Sequence, residues 1–228
     1  MKILREHQAG AVESIEEFTE GIIHLPTGSG KTFIQATAIV DGLKNKNVYV
    51  VLSPRILLTN QLYSEVKEIL EVNKKDCQYL IVHSGKVEDN EDMTWSKEMP
   101  YREVKSTTSS TVIKEDYQRA QNENVPLIIF GTYDSAERII NADIPIEMVM
   151  CDEAHYLVGE EFSWIRYENY TDGRKQFNAN RKYYFTATLK ETASDTGLGM
   201  NNSEEFGSII YSKTPAEFNI TKYLKRGK

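Results

Sequence analysis

The chain has 228 residues, with 27 Lys+Arg against 34 Asp+Glu, a formal net charge of −7. Apolar residues make up 40% and charged residues 27%, the composition of a globular chain, which excludes a disordered or fibrous one. Two cysteines exclude a disulfide scaffold and a Cys-built zinc module; Cys77 and Cys151 lie in apolar runs and are expected as buried thiols.

In chain order, Leu4 to Glu17 is predicted helical, with Ala9, Val12 and Ile15 at three-residue spacing. The short apolar run Gly21 to Leu25 ends at a Pro/Gly loop, and Thr32 to Leu43 reads as a helix. Val48 to Leu52 is a strand stopped by Ser53-Pro54, followed by an amphipathic helix over Ile56 to Glu71. Strands are predicted at Tyr79 to Val82, Leu127 to Phe130, Met148 to Cys151, Tyr183 to Phe185 and Ser208 to Tyr211. Helices are predicted at Thr132 to Ile140 and Pro215 to Leu224. Near-continuous apolar strands mark a sheet buried on both faces, and helices between them mark crossovers. The expected fold class is therefore α/β, a doubly wound, mostly parallel sheet.

Two stretches depart from this alternation. Lys86 to Val125 is polar, with six basic and nine acidic residues, and is expected to be an insertion carrying one helix over Val112 to Asn122. Ala193 to Gly207 is rich in Gly, Asn and Ser and is expected as a loop. No apolar run approaches the ~18 residues of a membrane span, and the N-terminus is charged within five residues. The expectation is a cytoplasmic protein with no membrane partner. The acidic balance leaves room for a local basic groove.

Leu25-Pro26-Thr27-Gly28-Ser29-Gly30-Lys31-Thr32 follows a strand and opens a helix. Phosphate oxygens need several donors converging on one point. Gly28 and Gly30 let the backbone curl so that successive N–H groups face inward, and the helix N-terminus adds its amides and dipole. Pro26, Thr27 and Ser29 complete the loop. Lys31 supplies a point charge for the β and γ phosphates, and the Thr32 hydroxyl is placed for Mg²⁺. The strict phosphate-loop pattern has Gly where this chain has Leu25. Met148 to Cys151 then runs into Asp152-Glu153-Ala154-His155. A carboxylate at a strand end is placed to hold Mg²⁺, here Asp152, and Glu153 to orient and deprotonate an attacking water. The implied cofactors are ATP and Mg²⁺. The four histidines show no zinc-ligand spacing.

This loop, the Asp-Glu-Ala-His box and Thr186-Ala187-Thr188 after a strand together resemble the first RecA-like domain of superfamily 2 helicases and translocases. The flavour is that of the restriction-enzyme-type DEAD/DEAH helicase domain. The resemblance runs from Leu4 to about Leu224 and implies a RecA-like domain over residues 1–224. It implies that Gln8 and Arg5, in Leu4-Arg5-Glu6-His7-Gln8, meet the nucleotide, with the Gln8 amide on the adenine edge. It implies that His155, Thr186, Ala187 and Thr188 couple the phosphate side to the nucleic-acid side. Pro54 and Arg55, Ser84 and Gly85, and Thr132 and Tyr133 are implied to touch a nucleic-acid backbone. The family brings a second RecA-like domain, for which about forty residues after Thr188 leave no room; residues 225–228 look like the start of a linker to it.

The function so implied is an ATP-driven motor on nucleic acid, with DNA favoured over RNA as the track. A nucleotide-dependent clamp or switch that grips nucleic acid without unwinding it is the alternative. A nucleotidase acting on protein is a third, opposed by the segments around Arg55 and Thr132.

Overall fold

The computed structural model describes residues 4–83, 105–159, 161–162, 165, 177, 179–193 and 198–217. Eight strands form one sheet in the order β4-β3-β5-β2-β6-β7-β1-β8. They are β1 (Glu20–His24), β2 (Val48–Ser53), β3 (Gln78–Val82), β4 (Lys105–Thr107), β5 (Leu127–Thr132), β6 (Ile146–Cys151), β7 (Ala179–Thr186) and β8 (Ile209–Ser212). Every neighbouring pair is parallel. The helices are α1 (Glu6–Glu17), α2 (Lys31–Gly42), α3 (Ile56–Val72), α4 (Ser110–Glu123), α5 (Ala136–Asn141) and α6 (Ser203–Phe206).

Strand residues alternate between two cores. Val48, Val50, Leu52, Leu127 and Ile129 face one, with Ile113 and Ala120 of α4 and Ile139 of α5. Tyr49, Val51, Ile128 and Phe130 face the other, with Ile15 of α1, Ile39 of α2 and Leu62, Tyr63 and Val66 of α3. Both faces are covered, so β2 and β5 are buried at every residue. That is why they read as unbroken apolar runs and not as alternating ones.

Some boundaries differ from the sequence reading. Thr132 ends β5, paired with Ser53; a 3₁₀ turn, Tyr133–Ser135, then precedes α5, where one helix was expected over Thr132 to Ile140. Of the stretch set apart as an insertion, residues 105–125 are described. They add β4, paired with β3, and α4. Gln78 of β3 ties α4 down by donating to the Asp116 carbonyl at 3.1 Å. The Gly/Asn/Ser stretch expected as a loop contains α6, capped by Asn202 and anchored by the fully buried Phe206. The expected C-terminal helix is described only to residue 217, and residues 215–217 are helical. Cys151 is buried, but Cys77 is half-buried. Among the described residues, no helix is long and apolar enough to cross a membrane.

Gly21 lets β8 join the sheet beside β1. Its φ is +153°, and a Cβ there would lie 2.5 Å from Ile210 Cγ2 and 2.6 Å from the Ser208 carbonyl oxygen. Gly21→Ala is expected to cost about 1–3 kcal/mol, as overpacking does where the neighbour is backbone. Urea unfolding of the two proteins measures it; equal midpoints would show that β8 moves away freely.

Candidate nucleotide and nucleic-acid sites

In an all-parallel sheet, all strands end on the same edge. The order β6-β7-β1 sets three of the expected segments side by side there. The phosphate loop follows β1, Thr186-Ala187-Thr188 follows β7, and the acidic box follows β6. The pairing continues past the strand ends: Leu25 N–H donates to the Thr186 carbonyl at 3.0 Å and Asp152 N–H to the Leu52 carbonyl at 2.8 Å.

The loop turns through two left-handed glycines, Gly28 at φ +78° and Gly30 at φ +83°, and Gly30 is the N-cap of α2. Thr27 and Gly28 are exposed, Pro26, Gly30 and Thr32 half-buried, and Ser29 and Lys31 buried. A Cβ on Gly28 would meet nothing within 4 Å, so the protein does not crowd the loop there. The first amides of α2 have no partner within their helix. Lys31 is 9% exposed and forms no ion pair with a described carboxylate. The Ser29 hydroxyl is buried without a partner. Free amides, an unpaired buried cation and an orphan hydroxyl on an uncrowded loop fit a bound anion such as a nucleotide phosphate.

The loop is held from behind by α1. The Ser29 carbonyl lies 2.8 Å from His7 Nε2 and accepts from Gln8 Nε2 at 3.3 Å. Gln8 Oε1 accepts the Arg5 N–H at 2.9 Å. Arg5 itself is exposed at the N-cap of α1. The resemblance assigned the Gln8 amide to adenine; here one of its N–H groups and one oxygen lone pair are used within the protein, which leaves the second N–H and the second lone pair for a further contact. His7 was not singled out from the sequence.

Asp152 is 5% exposed, and Gln35 Nε2 donates to its Oδ1 at 2.9 Å. Burial, and then the nearby Glu153 charge, raise its pKa from 3.8 to about 6, against the opposing pull of Lys31. A carboxylate disfavoured in this way fits a divalent cation; Thr32, which follows Lys31 at the start of α2, is half-buried. Glu153 sits in the left-handed region, φ +50°, a strained conformation for a side chain of its size. The peptide before it is pinned: the Tyr133 hydroxyl donates to the Asp152 carbonyl.

His155 joins the box to the strand beside it. Its Nδ1 lies 3.1 Å from Thr186 Oγ1 and 3.5 Å from Glu153 Oε2. The Thr186 hydroxyl spends its one proton on the Thr188 carbonyl, at 2.8 Å. The His155 nitrogen is therefore the donor, which assigns the Nδ1–H tautomer. Burial holds the His155 pKa below its usual value. Ala187 is half-buried between the two threonines and Thr188 is exposed.

The expected nucleic-acid residues are only partly brought to a surface. Arg55 is exposed at the N-cap of α3, beside half-buried Pro54. Its carbonyl accepts from the Thr59 amide at 2.9 Å and hydroxyl at 3.1 Å, which fixes the turn after β2. The Thr132 and Tyr133 side chains are turned inward. They are 4% and 1% exposed, Thr132 donating to Ser135 Oγ and Tyr133 packing on Phe162. Their side chains serve the interior because the chain turns back beneath the sheet edge in the 3₁₀ turn. Ser84 and Gly85 lie outside the described residues.

Comparison with known proteins follows the same lines. The family described as "Type III restriction enzyme, res subunit" matches residues 1–191. The replication restart protein PriA of Helicobacter pylori is 32% identical over 73 residues, 32% of this chain and 12% of PriA. Among solved structures, a nuclease-deletion mutant of the Type ISP restriction-modification enzyme LlaGI, in complex with a DNA substrate mimic, superposes with a TM-score of 0.73 at 22% identity. That match covers 97% of this chain and 21% of LlaGI. The Type ISP enzyme LlaBIII bound to DNA gives 0.69 at 18% identity, over 97% of this chain and 16% of that one. The Hef helicase domain of Pyrococcus furiosus gives 0.57 at 19% identity, over 94% and 39%. At these identities the structural likeness is one of fold, and the fold is RecA-like. The chain spans only a small part of these larger proteins.

The buried carboxylate has a consequence for stability. Its folded pKa is raised, so between about pH 4 and 6 the folded state binds more protons than the unfolded state, and stability falls as pH rises through that window. In metal-free buffer, Asp152→Asn is expected to gain about 1–3 kcal/mol at pH 8, the gain shrinking toward zero by about pH 4. Urea unfolding at the two pH values measures it. A variant less stable at both would show that the charge is well compensated.

Proposed function

Because the chain belongs to the family of the Type III restriction enzyme, res subunit, we propose that it is the ATP-binding motor domain of a superfamily 2 helicase or translocase. In this reading it hydrolyses ATP to move along or unwind nucleic acid. The observation that carries the reading is the pairing across one sheet edge of an unpaired, buried Lys31 with a buried, disfavoured Asp152 carboxylate. Lys31 pulls on the Asp152 charge, but the two form no ion pair and burial still disfavours the carboxylate. A magnesium–nucleotide complex supplies an anion for the first and a cation for the second.

The residues then divide the work. Amides of Gly28 and of Gly30 to Thr32, with the Lys31 ammonium, bind the phosphates, while the Ser29 amide closes the turn on the Pro26 carbonyl. Thr32 and Asp152 hold the magnesium ion, which neutralises phosphate charge when bound. Glu153, 28% exposed on its side chain, faces the open side and takes a proton from the attacking water. The His155–Thr186–Thr188 bonds link the box to the next strand end, the route by which hydrolysis is felt on the nucleic-acid side. All these groups reach the phosphates from one sheet edge. Transition-state charge calls for donors on the far side as well, so the reading includes a second RecA-like domain, elsewhere in the parent chain or in a partner. DNA is the proposed track: both Type ISP relatives are described with DNA, and Arg55 is an exposed cation at a helix start on the edge that carries the nucleotide loop.

Calorimetric titration tests the nucleotide half. Lys31→Ala is expected to weaken binding of magnesium–ATP by about 10- to 100-fold, the worth of one charge-assisted contact; equal affinity would reject the loop as the site. Glu153→Gln, measured in a protein that carries both domains, is expected to bind ATP normally and to lose turnover by ~10²–10⁴-fold. Near-normal hydrolysis would mean that another group activates the water.

A further inference from the structure

One side chain at the edge has no role in the reading above. Gln35 lies on α2 one turn after Lys31, so helical geometry turns it to the same side. It is fully buried, at 0% exposure. Its Nε2 donates to Asp152 Oδ1 at 2.9 Å, while its Oε1 is buried with no donor. A Met or Leu would fill this space without an unsatisfied oxygen. What sets this amide apart is its partner, the buried Asp152 carboxylate at the sheet edge.

We propose that Gln35 is a positioning residue of the magnesium site. The N–H fixes one Asp152 oxygen and leaves the other for the hydrated cation. A primary amide suits this place because it orients the carboxylate without neutralising it, whereas a Lys or Arg here would neutralise it. The proposal rests on the magnesium–nucleotide reading of the loop.

The test uses the whole chain and two probes, ADP and Mn²⁺. ADP affinity is measured by calorimetry in EDTA and again with Mn²⁺, and bound Mn²⁺ is counted by electron paramagnetic resonance. Gln35→Met removes both polar ends at similar size; Gln35→Asn keeps the amide but shortens its reach. Both variants are expected to hold metal-free ADP within about twofold of wild type. Both should lose about 10- to 100-fold in Mn²⁺ affinity, the usual effect of removing a group that orients a metal ligand. Unchanged Mn²⁺ affinity in either variant that folds overturns the proposal. So does an equal loss of ADP affinity with and without metal, which marks a packing role. Failure of the wild type to bind ADP at all is a different result: it rejects the nucleotide reading, and this proposal with it.

Discussion

Parallel pairing is the constraint on which the rest depends. Every crossover returns the chain to the same starting edge, so every strand delivers its C-terminal loop to the opposite one. Segments 25–32, 152–155 and 186–188, far apart in sequence, become neighbours because β1, β7 and β6 are adjacent. Arg55 and Thr132 share that edge through the β2–β5 pair. No contact specific to a ligand is needed to bring them there; the sheet does it, and the two covered faces hold the sheet.

Within that frame, several unfavourable features lie together at the nucleotide edge. The Asp152 carboxylate is buried at a cost, Glu153 is left-handed, and the Ser29 hydroxyl and the Gln35 carbonyl oxygen lack partners. Local order is sacrificed where a ligand can restore it. The frame answers with braces: His7 and Gln8 on the Ser29 carbonyl, Tyr133 on the Asp152 carbonyl and His155 on Thr186. Each brace acts on backbone or on an orienting atom and leaves the open side clear.

Much of this was legible in the sequence. The loop and the box were readable because their chemistry requires adjacent residues, Gly30-Lys31-Thr32 and Asp152-Glu153. The central strands were readable because burial on both faces writes a continuous apolar run. The braces were not readable. His7 and Gln35 act across 22 and 117 residues of chain, and a single polar side chain inside a helix carries no local sign of its distant partner. Gln35 left one faint trace, its one-turn spacing from Lys31. The inward turn of the Tyr133 ring was not readable either, because its motif ends a strand at the edge and says nothing of the Phe162 ring it packs on. The edge strand β4 was missed because three residues, Lys105-Ser106-Thr107, have no apolar run to betray them.

The central claim is that one edge of the sheet, between β1 and β6, is a nucleotide site. Amide hydrogen exchange followed by mass spectrometry, with and without magnesium–ADP, tests it most directly. The account predicts slowed exchange in the peptides spanning residues 26–34 and 152–157. It predicts none in those spanning 44–47 and 143–145, on the opposite edge. Protection absent from the first pair, or equal on both edges, would contradict it.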